Sequence, residues 1–204
     1  FYNYQLQQGR LLRNPVQQLR QKKRLLQTQQ QQRVTRKLSN QQWDIIIASI
    51  QQKCQTDARY ERHLFVLAAF YLLGLRISEL SETPNRIPKM GDFYPDSEER
   101  WWFQTLSKGN KLRDVAVPDS LLLALKRFRM HLNLSPLPGR QEQTPLIPKL
   151  KGEGGIGVRQ LRYLVQHCFD LAIEALEKLG KNDSAEDIRS ATVHWLRHTS
   201  ISHD

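Results

Sequence analysis

The apolar pattern of this chain changes period twice, and those changes limit the folds it can adopt. Between Ser39 and Leu80, apolar residues recur at three- and four-residue spacings, as in helices that turn one face to a core. Over residues 90–94, 100–107 and 112–117 the pattern alternates, and aromatic and β-branched residues predict three short strands. Lys108-Gly109-Asn110-Lys111 is the predicted turn between the last two. Helical spacing then returns through Val158, Leu161, Val165, Cys168, Ala172, Leu176 and Leu179. The expected fold is α+β, mainly α: packed helices with one small antiparallel sheet.

Boundary signals sharpen this outline. Ser39 is a predicted N-cap for a helix that carries Trp43, Ile46, Ile47 and Ile50 inward. Asp57 is placed to cap the next helix, whose apolar face holds Tyr60, Leu64, Leu67, Ala68 and Tyr71. Gly74 can end that helix, and Ile77 and Leu80 then anchor the following turn. This holds Arg76 near the core beside Glu79, although that spacing ordinarily means an exposed helix pair. Pro118-Asp119-Ser120 starts a helix with Leu121, Leu122, Leu125 and Phe128 inward. Residues 134–157, rich in Pro and Gly, are expected to form a long mobile loop. Residues 184–187 begin a short helix leading to the final segment.

Charge divides the chain unevenly. Its formal net charge is +11, and residues 1–37 supply nine of the 31 basic residues and none of the 20 acidic ones. These are Arg10, Arg13, Arg20, Lys22, Lys23, Arg24, Arg33, Arg36 and Lys37. Residues 1–12 resemble the end of a helix, Asn14-Pro15 breaks it, and residues 16–32 form a glutamine-rich linker or strap. A basic arm of this kind suits a polyanion. The positions opposite its charges are mostly glutamine and not apolar, which favours nucleic acid over a membrane surface. With no apolar run long enough to span a bilayer, no secretion signal, and two cysteines (Cys54, Cys168) without metal spacing, a soluble cytoplasmic protein is expected.

The densest chemistry lies at residues 191–204. On a helix, His194, Arg197 and His198 share one face and could offer a proton and a fixed cationic fork to one phosphate. His194, His198 and His203 also have helical zinc spacing, but there is no cysteine nearby and the nearest upstream acids are Glu186 and Asp187, so no metal is expected.

Three motifs in order carry a resemblance: Leu73-Gly74-Leu75-Arg76-Ile77-Ser78-Glu79-Leu80 at a helix end, Ser107-Lys108-Gly109-Asn110-Lys111 in a hairpin, and His194-Trp195-Leu196-Arg197-His198-Thr199 on a late helix. Together they resemble the tyrosine recombinases, or phage-type integrases. The likeness covers residues 38–204 as most of a catalytic domain, with residues 1–37 as the end of a core-binding domain and a basic linker. It implies DNA strand breakage and rejoining through a 3′-phosphotyrosine, with no metal, cofactor or small-molecule substrate. Arg76 and Arg197 match the family's arginines, Lys108 its hairpin lysine, His194 its proton-transfer histidine and Glu79 its acidic position. Lys108 is preferred to Lys111 because it precedes the Gly-Asn turn; Lys111 and the arm then belong to DNA binding. The resemblance also implies double-stranded DNA as partner and self-association on it as a dimer or tetramer, and leaves prophage integration, a mobile island, cassette exchange and chromosome-dimer resolution open as settings.

The match is incomplete. The family nucleophile follows His-x-x-Arg, whereas Tyr2, Tyr4, Tyr60, Tyr71, Tyr94 and Tyr163 all precede His194. None can be assigned as the nucleophile, so the expectation is a catalytic domain truncated at its C-terminus and inactive alone in strand cleavage. Two alternatives stay open: a non-catalytic DNA-binding protein on the same fold, and a type IB topoisomerase, which shares the chemistry.

Overall fold

The computed structural model describes residues 37–107 and 109–202. The helices proposed within residues 1–32, and basic residues Arg10 to Arg36, lie outside the described residues, as do Lys108 and His203.

Helix α1 (Asn40–Thr56) begins at a capping box: Ser39 Oγ accepts from the Gln42 amide at 3.2 Å, and the Gln42 side chain accepts from the Ser39 amide at 2.9 Å. Ile46 and Ile50 are fully buried, while Trp43 is half-buried and stacks on Tyr71 with ring centroids 3.9 Å apart. Asp57 caps a 3-10 turn (Ala58–Tyr60) rather than the next helix itself, its carboxylate accepting from the Arg59 amide at 2.9 Å. Helix α2 (Glu61–Leu73) follows directly and is the central element, with an unbroken buried run from Leu64 to Phe70. A helix apolar on most sides needs neighbours on most sides, and α2 packs against helices on several faces. Gly74 ends it in the left-handed conformation at φ 55°.

A short helix α3 (Ile77–Leu80) turns the chain toward the sheet. The first predicted strand opens as a 3-10 turn (Met90–Asp92), leaving only β1 (Phe93–Pro95) extended. Strands β2 (Trp101–Ser107) and β3 (Lys111–Ala116) complete an antiparallel sheet in the order β1-β2-β3. Phe93 pairs with Phe103, and Ser107 pairs with Lys111 across the turn. Gly109 and Asn110 both have positive φ (83° and 57°), which explains why that turn is written Gly-Asn.

Helix α4 (Asp119–His131) buries Leu121, Leu125 and Phe128, the last stacked on Phe65 of α2 at 5.1 Å. Residues 134–157 form no helix or strand, but the segment is stitched down along its length. The Met90 amide donates to Thr144 O, the Leu146 amide to Pro88 O, and the Glu82 amide to Ile156 O, each at 2.8 Å. Leu146 and Ile147 are buried at 1% exposure, so the composition that suggested a mobile loop encodes a pinned one. Arg129, also 1% exposed, clamps its start by a paired contact to Glu142 at 2.9 and 3.0 Å and a bond to Ser135 O at 2.7 Å.

Helix α5 (Val158–Lys178) presents Leu161, Val165, Cys168, Ala172 and Leu176 to the core as expected. Leu179 is 68% exposed, because the helix ends just before it. Helix α6 (Asn182–Arg189) starts slightly earlier than the sequence suggests, and α7 (Val193–Ser202) follows after a break at residues 190–192. Helix α7 returns to α2 through buried Leu196 and Thr199. Thr199 Oγ1 accepts from the Leu38 amide at 2.9 Å, tying the start of the globule to the last helix. Both cysteines are free thiols, and burial raises the Cys54 pKa to about 11. Among the described residues no helix is long and apolar enough to cross a membrane.

Candidate active site

The site is built around a buried carboxylate. Glu79 on α3 is 3% exposed, and its position follows from the helix end before it: Gly74 stops α2, and the chain re-enters a helical turn three residues later. Arg76 is the residue that starts this turn. Its backbone amide donates to Glu79 Oε2 at 2.7 Å and its guanidinium to Oε1 at 3.3 Å. The Arg76–Glu79 spacing is therefore a cap that fixes the backbone, not merely a surface pair. The Arg76 side chain stays 45% exposed while its partner is almost fully covered.

Two further arginines converge on the same carboxylate. Arg197 of α7 donates to the carbonyl of Gly74 at 2.5 Å, and its guanidinium stands 4.0 Å from Glu79 Oε2. Arg113 of β3 donates to Glu79 Oε2 at 3.0 Å. Three guanidiniums thus surround one negative charge. Burial lowers the Arg197 pKa from its ordinary value, and the positive charges of Arg76 and Arg113 push the same way against the pull of Glu79. The excess positive charge makes the cluster receptive to an anion.

Arg113 was not among the residues the motifs singled out. The signal was present, however: β3 turns Arg113 and Val115 to its less exposed side, so an arginine occupies a position where the alternation predicts an apolar residue.

Arg76 stands between two open clefts. One, of about 320 Å³, is lined by Arg76, Ser78, Glu79, Arg86 and the hairpin residues Ser107, Gly109 and Asn110. The other, of about 630 Å³, brings Arg76 and Ser78 together with Arg162, Thr192 and His194. The structure thus places His194 on the same cleft as Arg76, and both neighbours of Lys108 on the cleft with Glu79. Lys108 itself lies outside the described residues. Lys111 is exposed at the start of β3, and Lys37 is exposed before α1. His194 and His198 are exposed, with ring centroids 4.5 Å apart in an edge-on contact, whereas Arg197 is half-buried and turned inward. Among the described residues no group of three or more His, Cys, Asp or Glu is placed to hold a metal ion.

A further cleft, about 700 Å³, is elsewhere and shares no residue with these two. Of the described tyrosines, Tyr60, Tyr71, Tyr94 and Tyr163, none lines either cleft beside Arg76.

Helices packed about α2, with a three-stranded antiparallel sheet beside the arginine cluster, give an α+β, mainly α fold like that of solved site-specific recombinases. Among solved structures the chain is similar to the XerH site-specific recombinase bound to difH substrate in a pre-cleavage complex, with a TM-score of 0.55 and 19% identity over 82% of this chain and 42% of that one. It is also similar to XerH on palindromic difH substrate in a post-cleavage complex, with a TM-score of 0.53 and 19% identity over 83% and 43% of the two chains. The chain therefore spans less than half the length of these neighbours. No protein-family model matches it, and no curated protein matches it.

Proposed function

We propose that this chain is part of a site-specific DNA recombinase of the tyrosine type, which cuts and rejoins strands through a 3′-phosphotyrosine intermediate. The observation that carries this reading is the convergence of Arg76 and Arg197, from distant parts of the sequence, on the single buried carboxylate of Glu79, with Arg76 and Glu79 lining an open cleft. Attack on a DNA phosphodiester gathers negative charge on its two non-bridging oxygens, and cations fixed in advance stabilise that state. Planar guanidiniums suit this oxygen pair better than lysine does. Arg76 and Arg197 would hold those oxygens. His194, on the cleft with Arg76, would assist proton transfer. Lys108, whose neighbours line the cleft with Glu79, would protonate the departing 5′ oxygen. Glu79 would orient the arginines without reacting.

In this reading the partner is double-stranded DNA, with self-association on it, and the basic arm and Lys111 grip the duplex backbone. The protein works in the cytoplasm, in a setting that prophage integration, a mobile island, cassette exchange and chromosome-dimer resolution would each fit. No metal or cofactor takes part. This reading also requires a nucleophilic tyrosine, and no described tyrosine lies on the clefts beside Arg76. That same observation favours one second reading, a DNA-binding protein on this fold that does not cleave.

Covalent capture separates the two. The full reading frame containing this chain would be incubated with fragments of its own genomic DNA, denatured in detergent, and assayed for DNA retained on protein. The recombinase reading predicts retained DNA blocked at its 3′ phosphate, reduced roughly 100-fold or more by Arg76→Ala or Arg197→Ala. Tight binding without retained DNA would establish the non-cleaving reading.

A further inference from the structure

Glu79 can satisfy only a limited set of donors, and the way they are shared is informative. Oε2 takes the Arg76 amide at 2.7 Å and Arg113 at 3.0 Å, while Arg197 is held off at 4.0 Å and directs a nitrogen to the Gly74 carbonyl instead. A buried carboxylate and a guanidinium at that separation would be expected to close into a full ion pair unless something competes. Arg113 is the competitor. It already occupies the oxygen nearest Arg197, and its own charge repels the Arg197 guanidinium. The sheet holds it there: Arg113 pairs with Thr105 of β2, and the Thr105 hydroxyl, 1% exposed, donates to the Glu79 carbonyl at 3.4 Å.

We propose that Arg113 is a positioning residue that occupies Glu79 and so keeps Arg197 from collapsing onto it, leaving Arg197 poised for phosphate. This rests on the recombinase reading above. Removing Arg113 frees Oε2, lets Arg197 close the gap, and withdraws one of the two phosphate-binding forks while the other stays. The consequence falls on the chemical step more than on DNA binding, because many other phosphate contacts support binding whereas the reacting phosphate depends on this fork.

The test measures both quantities in the full-length protein with the same genomic fragments, for wild type, Arg113→Met, Arg113→Lys and Arg197→Ala. Arg113→Met should lower the rate of covalent adduct formation roughly 30-fold while changing DNA affinity at fixed salt by less than about threefold. Arg113→Lys should recover most of the rate, because an ammonium still occupies the carboxylate. The double variant Arg113→Met with Glu79→Gln should be faster than Arg113→Met alone, since the charge that captures Arg197 is gone; a residue needed only for folding gives no such recovery. Equal losses of rate and affinity in Arg113→Met, or a double variant slower than the single one, would overturn the proposal. If Arg197→Ala is also without effect on adduct formation, the recombinase reading itself fails, and that outcome is distinct from an unaffected Arg113→Met beside an inactive Arg197→Ala.

Discussion

Glu79 shows how one side chain can join local structure to chemistry. It caps its own helix and accepts from Arg76 and Arg113, with its carboxylate beneath the surface. Glu79→Ala would leave guanidiniums without their buried partner, and urea denaturation should report a loss of about 3 kcal/mol. Arg129 does comparable work for the loop it clamps: Arg129→Met, which leaves Glu142 unpaired, should cost about 3 kcal/mol in the same assay and increase proteolysis within residues 134–142. His63 predicts a pH effect. Burial lowers its pKa from 6.5 to about 4, with His167 and Arg62 adding repulsion and Asp57 opposing it. Its neutral form is the one that folds, so stability is highest above pH 6.5 and falls as pH drops toward about 4. Denaturation at about pH 7 and about pH 4.5 should differ by ~2 kcal/mol more in wild type than in His63→Leu. These residue-level roles were unequally legible. Arg76, Glu79 and Arg197 stood out in motifs and Arg113 broke an alternation, but a buried arginine such as Arg129 looks the same in sequence as an exposed one until its partner across the fold is known.

At the scale of elements, the sequence spoke most clearly where backbone chemistry is local. The Ser39 cap, the Gly74 terminus and the Gly-Asn hairpin were readable because each depends on residues within a few positions. Residues 134–157 misled for the opposite reason: their hydrogen bonds run to Pro88, Met90 and Glu82, which no local pattern announces. Gly91 is the tightest point of that stitching. A Cβ there would meet the carbonyl oxygens of Glu142 and Arg140 at 2.7 and 2.8 Å. Gly91→Ala should therefore lower the midpoint of thermal unfolding by several degrees, corresponding to about 2 kcal/mol. A fully stable Gly91→Ala protein would mean that the loop yields easily.

Across the whole molecule, the proposed function assigns a polyanion both to the globule and to the basic N-terminal residues. The proposed arm holds most of the excess charge, so the affinity of the chain for duplex DNA should fall steeply with salt, and deleting residues 1–36 should flatten that dependence by several units of log–log slope. Within the globule, segments distant in sequence meet at the arginine cluster: Arg76 and Glu79 after α2, Arg113 on β3 and Arg197 on α7. The measurement that bears most directly on this account is the structure of the full-length protein bound to duplex DNA. The account predicts one backbone phosphate with its non-bridging oxygens within about 3 Å of both the Arg76 and Arg197 guanidiniums, and with Arg113 still on Glu79. A duplex lying over another face, with no phosphate at these arginines, would contradict it.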